Sequence, residues 1–412
     1  MSVNACQLYK EQLAHYLSIP PQSIFLFWKG RVALYAILKA IGIKEGDEII
    51  LPAFTCVVAV NPILYLGAHP VYVDIDPLTY NIDASGIEKK ITQKTRVILA
   101  QNTFGLAPDL DRLLEVAHKY RVLIIEDCAH GFGGLYQRKP NGTIADASFF
   151  SSQWNKPFST GLGGFAVTKD RRIEEKLQEM EETFTRPSFK DTMALKALLF
   201  LRERLTSRLY WPALKTYRWL SKNNLILGSS QGAELQRPDK PEGFEKGFSQ
   251  TQAKKGIGEL GGDKEYAVKG KKNWKIDEVI EHRKKIAGLY KKALLKLGIE
   301  PPYEAVYADH AYLKFPLLVK ERAQFFQKAE KEKIELGDWF LSPIHPIIKN
   351  FELWHYRWGE NPIAEKISQH IVNLPNHMKI DEKYVDKVTG FLENNRGNIY
   401  TGYKEVLKGN NF

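Results

Sequence analysis

Four residues, Val122-Leu123-Ile124-Ile125, are apolar without alternation and end abruptly at Glu126-Asp127. A strand that is apolar on both faces belongs in a sheet covered on both sides, and such sheets put their chemistry at the carboxyl ends of their strands. Two more runs follow. Ala147–Ser151 leads into Ser152-Gln153-Trp154-Asn155-Lys156-Pro157, and Gly161-Leu162-Gly163-Gly164 opens Phe165–Thr168. Asp127 and Lys156 both fall at strand ends, and the rest of the chain reads as built around that pair.

Upstream, strands and helices alternate. Phe25–Trp28 precedes Gly30-Arg31-Val32 and a helical pattern through Ile41, and Glu48–Leu51 is a strand ended by Pro52. Phe54–Leu66 reads as helix, Val71–Asp74 as strand, Ile87–Ile91 as a short helix, Val97–Ala100 as strand and Asp109–Tyr120 as an amphipathic helix. This alternation predicts a mostly parallel α/β sheet. Asn141-Gly142 supplies a hairpin-type turn before the strand at 147–151. Beyond Asp170 the spacing predicts helices over 171–182, 278–297, 323–333 and 363–372, a strand over 311–319, and loop through much of 236–272. The expected division is a helical arm at 1–20 that could pack on a partner, a large α/β domain at 21–245 with a basic amphipathic insert at about 185–245, and a smaller α+β domain at 246–412.

Bulk properties narrow the function. A chain of 412 residues holds two or three domains. No apolar run nears the roughly 18 residues of a membrane span, and Met1–Pro20 lacks a signal core, so a cytoplasmic protein is expected. Cys6, Cys56 and Cys128 have neither disulfide nor zinc spacing, and no metal site is expected. The net charge of +11 is concentrated: residues 190–222 hold eight Lys/Arg against Asp191 and Glu203. A uniform nucleic-acid coat is therefore not indicated, and no nucleic-acid partner is expected. The insert has two readings: a helical excursion packed on one face, or an interfacial helix pair that rests on anionic lipid, as a peripheral membrane contact through 190–222, or grips a diphosphate substrate.

A lysine in a glycine-rich loop beside a strand-end aspartate suits pyridoxal phosphate (PLP). The lysine forms the Schiff base with the cofactor aldehyde, and the carboxylate keeps the pyridine nitrogen protonated. Glycine before a helix leaves amide groups for a phosphate, and Ser151, five residues before Lys156, can add a hydroxyl. A solvated lysine and a turn-forming aspartate fit the same spacing.

At these residues the chain resembles the DegT/DnrJ/StrS sugar aminotransferases. The resemblance is carried by Gly46-Asp47-Glu48, Leu51-Pro52-Ala53-Phe54-Thr55, Gly67-Ala68, Pro70-Val71, Val73-Asp74-Ile75-Asp76 and Asn81-Ile82-Asp83. It continues in Glu126-Asp127-Cys128-Ala129-His130, Phe150-Ser151 with Lys156, and Gly163-Gly164. Later matches are Ser249, Gln252, Ala253, Gly256 and Leu260, then Asn373-Leu374-Pro375. The resemblance implies a fold type I PLP-dependent transferase, with a mostly parallel seven-stranded sheet in the large domain and a smaller α+β C-terminal domain. It implies Lys156 as Schiff-base lysine and general acid/base, Asp127 on the pyridine nitrogen, and Ser151 on the phosphate. Gly30 and the backbone of Arg31 and Val32 would complete the phosphate cradle. His130 stands where relatives usually carry a Gln against the ring hydroxyl. Relatives with histidine at the Schiff-base position are dehydratases, so lysine favours transamination.

Departures matter too. Arg31 replaces a small hydroxyl residue, so the phosphate site gains a charge. Cys56 stands where several relatives stack an aromatic ring on the cofactor. Glu245-Lys246-Gly247 occupies the place of the Asn-Tyr-Arg element that relatives contribute from the partner subunit. Cys128, His310 and His377 read as structural, His345 as a turn residue more than a substrate contact, and Asp74 and Asp76 as turn formers. The expected protein is a homodimeric aminotransferase that takes an amino group from a donor, glutamate, to a keto sugar, nucleotide-linked. The alternatives are a same-fold enzyme for a lipid-linked or non-sugar keto compound, or a non-catalytic descendant with an assembly role.

Overall fold

The computed structural model describes residues 4–204, 232–261 and 275–408. Seven strands form one sheet: β1 (Ile24–Phe27), β2 (Glu48–Pro52), β3 (His69–Val73), β4 (Thr95–Gln101), β5 (Leu123–Asp127), β6 (Ala147–Ser151) and β7 (Gly164–Thr168), in the order β1-β7-β6-β5-β4-β2-β3. Pairings β2–β3, β2–β4 and β4–β5 are parallel, whereas β7 runs antiparallel to both β1 and β6. Strand interiors are almost wholly buried, as the unbroken apolar runs require. Chain contacts divide the molecule into two compact units: Met1–Gly46 with Val58–Ala68 and Asp146–Ile276, and Asp47–Val57 with His69–Ala145 and Asp277–Phe412.

In the first unit, the helix Ala5–Leu17 starts at Asn4, whose side chain accepts from the Cys6 amide. It packs within its own chain on the helix Gln250–Glu259. The close approach needs Gly256, because a Cβ there would collide with the ring of Tyr9, which also stacks on Phe248 at 5.6 Å. Ser249 and Gln252 close a reciprocal capping box at the start of that second helix, which breaks the loop expected over 236–272.

The helix Phe189–Arg204 comes from the basic insert. Leu195, Leu198 and Leu199 face inward, the first two buried, while Phe189, Met193 and Phe200 remain exposed. Residues 205–222 of the expected amphipathic segment lie outside the described residues.

In the second unit, strands Phe315–Leu318 and Ile371–Leu374 pair antiparallel beneath the helices Ile276–Lys296, Arg322–Lys331 and Glu382–Asn394. Their core joins Tyr290, Phe315, Phe325, Val388 and Phe391, all essentially buried. Two local expectations fail here. The helical reading through Val372 stops at His370, because Ile371 and Val372 are β-branched and find a strand partner. The hairpin turn uses Gln137 and Arg138, with φ of 46° and 68°, and not Asn141-Gly142, whose glycine amide donates to Glu126 at 2.9 Å. Asp74 is also more than a turn former. Its carboxylate accepts from the amides of Ile363 and Ala364 and so caps the helix Pro362–His370.

Candidate active site

In the first unit the helix Gly30–Ile41 begins directly after β1, and its start is pressed onto the ends of β6 and β7. A Cβ on Gly164 would land inside contact distance of the Gly30 backbone, and a Cβ on Gly30 would lie 3.0 Å from the Ser151 Cβ and the Phe150 carbonyl oxygen. Two glycines therefore bring a helix N-terminus against Ser151, which lies opposite Gly164 in the sheet register. The Val32 amide donates to the Lys29 carbonyl at 3.0 Å within this first turn.

Lys156 sits half-buried in the loop that leaves β6 and returns in β7. The loop is closed at its base: the Ser152 and Thr160 hydroxyls are 2.7 Å apart, and the Ser152 amide donates to the Gly163 carbonyl at 3.0 Å. Within it, the Lys156 amide donates to the Gln153 carbonyl at 3.0 Å. Gln252 donates to the Leu162 carbonyl at 2.5 Å, tying the loop to its capped helix. Leu195 and Leu199 of the insert pack against Trp28, Trp154 and Leu162, so the insert's helix forms a wall of the lysine loop.

Arg31 does not bring a net charge to this place. Its Nη1 lies 2.6 Å from the Glu234 carboxylate, and both side chains are nearly inaccessible, at 4% and 3%. Tyr65 also donates to Glu234, and Asn61 donates to its carbonyl. Removing one member of such a pair strands the other charge, at a cost of about 3–5 kcal/mol. The expectation of a gained phosphate charge at Arg31 is thus corrected, since Glu234 offsets it.

The cation left over is Lys29, which sequence reading missed. It is half-buried and forms no ion pair among the described residues. Burial, followed by the positive charge of Arg31, pushes its pKa down to about 8. Lys246, by contrast, is committed: its ammonium pairs with Asp191 at 2.7 Å and sits 5.6 Å above the Trp28 ring. Glu245 accepts from Tyr35 and Lys240, and Gly247 bridges to Phe27. The segment 245–247 is therefore held by its own unit.

The second unit holds Cys56, Asp127 and His130. Asp127 closes β5, is 6% exposed, and accepts from the Ala129 amide at 2.9 Å. Its neighbour Glu126 points elsewhere and accepts from the amides of Gly142, Ile144 and Ala145, and burial raises its pKa. Two adjacent acids thus divide into one that knits a loop and one that faces the strand end. His130 lies on a shelf of rings, 6.5 Å from Phe104, 5.9 Å from Phe340 and 5.1 Å from Trp339. His345 adjoins that shelf, 4.9 Å from Trp339, and pairs in register with Cys56 in a short parallel bridge. Burial lowers its pKa to about 4, so it is neutral at pH 7. Trp339 and Phe340 were not anticipated, because neither carries a local signal in the sequence. His310 stacks on Tyr312 and His377 pairs with Glu335.

Each unit, taken by itself, holds groups that suit pyridoxal phosphate: the first has a glycine cradle with an adjoining hydroxyl and the half-buried Lys29 ammonium, and the second a buried strand-end carboxylate and an imidazole among rings. Comparisons with known proteins agree. The model of the DegT/DnrJ/EryC1/StrS aminotransferase family matches residues 7–196 and 267–393. The chain is similar to GDP-perosamine synthase of Vibrio cholerae, 30% identical over 89% of this chain and 84% of that protein. It is also similar to GDP-perosamine synthase of Escherichia coli O157:H7, 27% identical over 86% and 81%. Among solved structures, an aminotransferase of this family from Brucella abortus superposes with a TM-score of 0.72 at 20% identity, covering 97% of this chain and 92% of that one. A Streptococcus pneumoniae protein described as a sugar aminotransferase, in its PLP-form, gives a TM-score of 0.71 at 20% identity over 98% and 92%. At such identities these structures establish the fold, which is fold type I, while the family match over most of the chain establishes kinship. The chain belongs to the DegT/DnrJ/EryC1/StrS aminotransferase family, and is an aminotransferase.

Proposed function

We propose that this aminotransferase carries an amino group from glutamate to a nucleotide-linked keto sugar, in the making of a surface polysaccharide or a secondary metabolite. The observation that carries the reading is the seating of Gly30 against Ser151 at the foot of the Lys156 loop. The GDP-perosamine synthases among its relatives support the choice of acceptor. When bound, pyridoxal phosphate supplies an aldehyde that holds amines covalently and a ring that withdraws electrons. Lys156 would hold the cofactor and then carry the proton to and from the substrate carbon. Asp127 would bind the protonated ring nitrogen through its carboxylate, and His130 the ring hydroxyl. Ser151 and the backbone at Gly30, Arg31 and Val32 would take the phosphate. Cys56 would line the face of the cofactor ring.

A homodimer of two 47.2 kDa chains is part of the proposal, with a cytoplasmic site of action; sedimentation equilibrium should give twice the chain mass. The exposed Phe189, Met193 and Phe200, with the basic excess around them, support a peripheral contact of 190–222 with anionic lipid. Vesicles rich in phosphatidylserine should then pull down the protein at low salt and release it as salt rises. Equal recovery with neutral vesicles removes that contact.

Two substitutions test the site itself. Wild-type protein incubated with PLP should show the visible band of lysine-bound cofactor, and glutamate should bleach it. Lys156→Ala should lack the band and lose activity by 10³-fold or more. Lys29→Met should weaken PLP binding by about tenfold, while leaving the uptake of pyridoxal, which has no phosphate, unchanged. The Lys29 ammonium is present below its pKa of about 8 and lost above it, so PLP affinity should fall as pH rises through 8, and the variant should lack that fall.

A further inference from the structure

In the second unit a pair of cations has no ion-pair partner among the described residues. Arg283 is 6% exposed, yet among the described residues the partners of its Nη1 are all neutral: the carbonyls of Leu313 at 2.9 Å and Tyr312 at 3.5 Å, and the Asn376 side-chain oxygen at 3.3 Å. Its Nε, also buried, makes no hydrogen bond to any of the described residues. Lys314 follows Leu313 directly and is half-buried. No carboxylate among the described residues pairs with either cation, and Asp338 is the only acid whose field reaches Lys314 appreciably. Nearby, the Asn373 Nδ2 is buried and unbonded, while the Asn373 oxygen accepts from the Trp339 amide at 3.1 Å.

Lys314 is aimed, not merely stranded. Its amide donates to the Phe104 carbonyl, and its ammonium stands 5.8 Å from the centre of the Trp339 ring. That ring lies 5.1 Å from His130. One indole therefore separates the ammonium from the imidazole assigned to the cofactor ring. A cation over an indole face keeps part of its stabilisation from the ring and has its remaining N–H groups available to an incoming acceptor.

We propose that Lys314, with Arg283 behind it, is the subsite that receives an anionic group of the substrate, either the side-chain carboxylate of the amino donor or phosphate oxygens of the acceptor. This rests on the aminotransfer reading above. Buried donors without acceptors are costly in the free protein, and an oxyanion satisfies them while Trp339 excludes water from the contact. Arg283, fixed by carbonyls, adds charge without reaching for the ligand itself and is a positioning residue.

The test uses PLP-loaded enzyme, parent and Lys314→Met, with Lys314→Arg as the charge-conserving control. In the donor arm, cofactor bleaching is titrated with L-glutamate and with L-alanine, which has no second carboxylate. In the acceptor arm, GDP and UDP binding is measured by calorimetry. Lys314→Met should weaken either glutamate or a nucleoside diphosphate by tenfold or more, leave alanine unchanged, and be rescued to within threefold by Lys314→Arg. The arm that responds names the source of the anion. If the methionine variant holds PLP as the parent does and binds glutamate and both nucleotides within twofold of it, the assignment is wrong. Equal weakening of alanine and glutamate, with the nucleotides unaffected, also overturns it. A parent enzyme that takes up PLP but is bleached by no donor defeats the aminotransfer reading instead, and the nucleotide arm still judges Lys314.

Discussion

Contact between two backbones organises the first unit. Gly164 and Gly30 lie so close that a methyl group on the former has no room, and a helix start is thereby held against the last residue of β6. The rest of the unit follows from this contact. It sets Ser151 beside the first turn, fixes where the lysine loop leaves the sheet, and makes β1 buried throughout, since a helix and two strand ends must share its carboxyl end. The capped helix Gln250–Glu259 then locks the loop from beneath through Gln252.

Much of this was legible in the sequence, because the signals are local or periodic. Unbroken apolar runs identified the central strands, the acidic strand end identified Asp127, and the glycines on either side of Leu162 marked a loop with no room for side chains. What the sequence did not reveal depends on partners far along the chain. Arg31 reads as an extra positive charge until Glu234, 203 residues away, is found against it. Lys29 and Lys314 read as ordinary surface lysines, and only burial without a counter-ion sets them apart. Ile371 and Val372 continue a helical pattern by composition, and a strand partner at Leu317–Leu318 overrides it.

The pairing of Arg31 with Glu234 has a bearing on kinship. Arg31 lies within the matched region, whereas Glu234 lies in the unmatched stretch between residues 196 and 267. A buried guanidinium would be strongly unfavourable without that carboxylate. The insert therefore supplies the charge that lets an arginine be buried at position 31.

A helix with apolar side chains on opposite sides is a party wall. Leu195 and Leu199 press on the loop of Lys156, and Phe189, Met193 and Phe200 look outward from the same rod. Whatever settles on the outer side is thus one layer of side chains away from Trp154 and Leu162 in the loop that carries Lys156. Stiffening or tilting that rod would press on the loop through those same contacts, so the outer face and the loop share one wall.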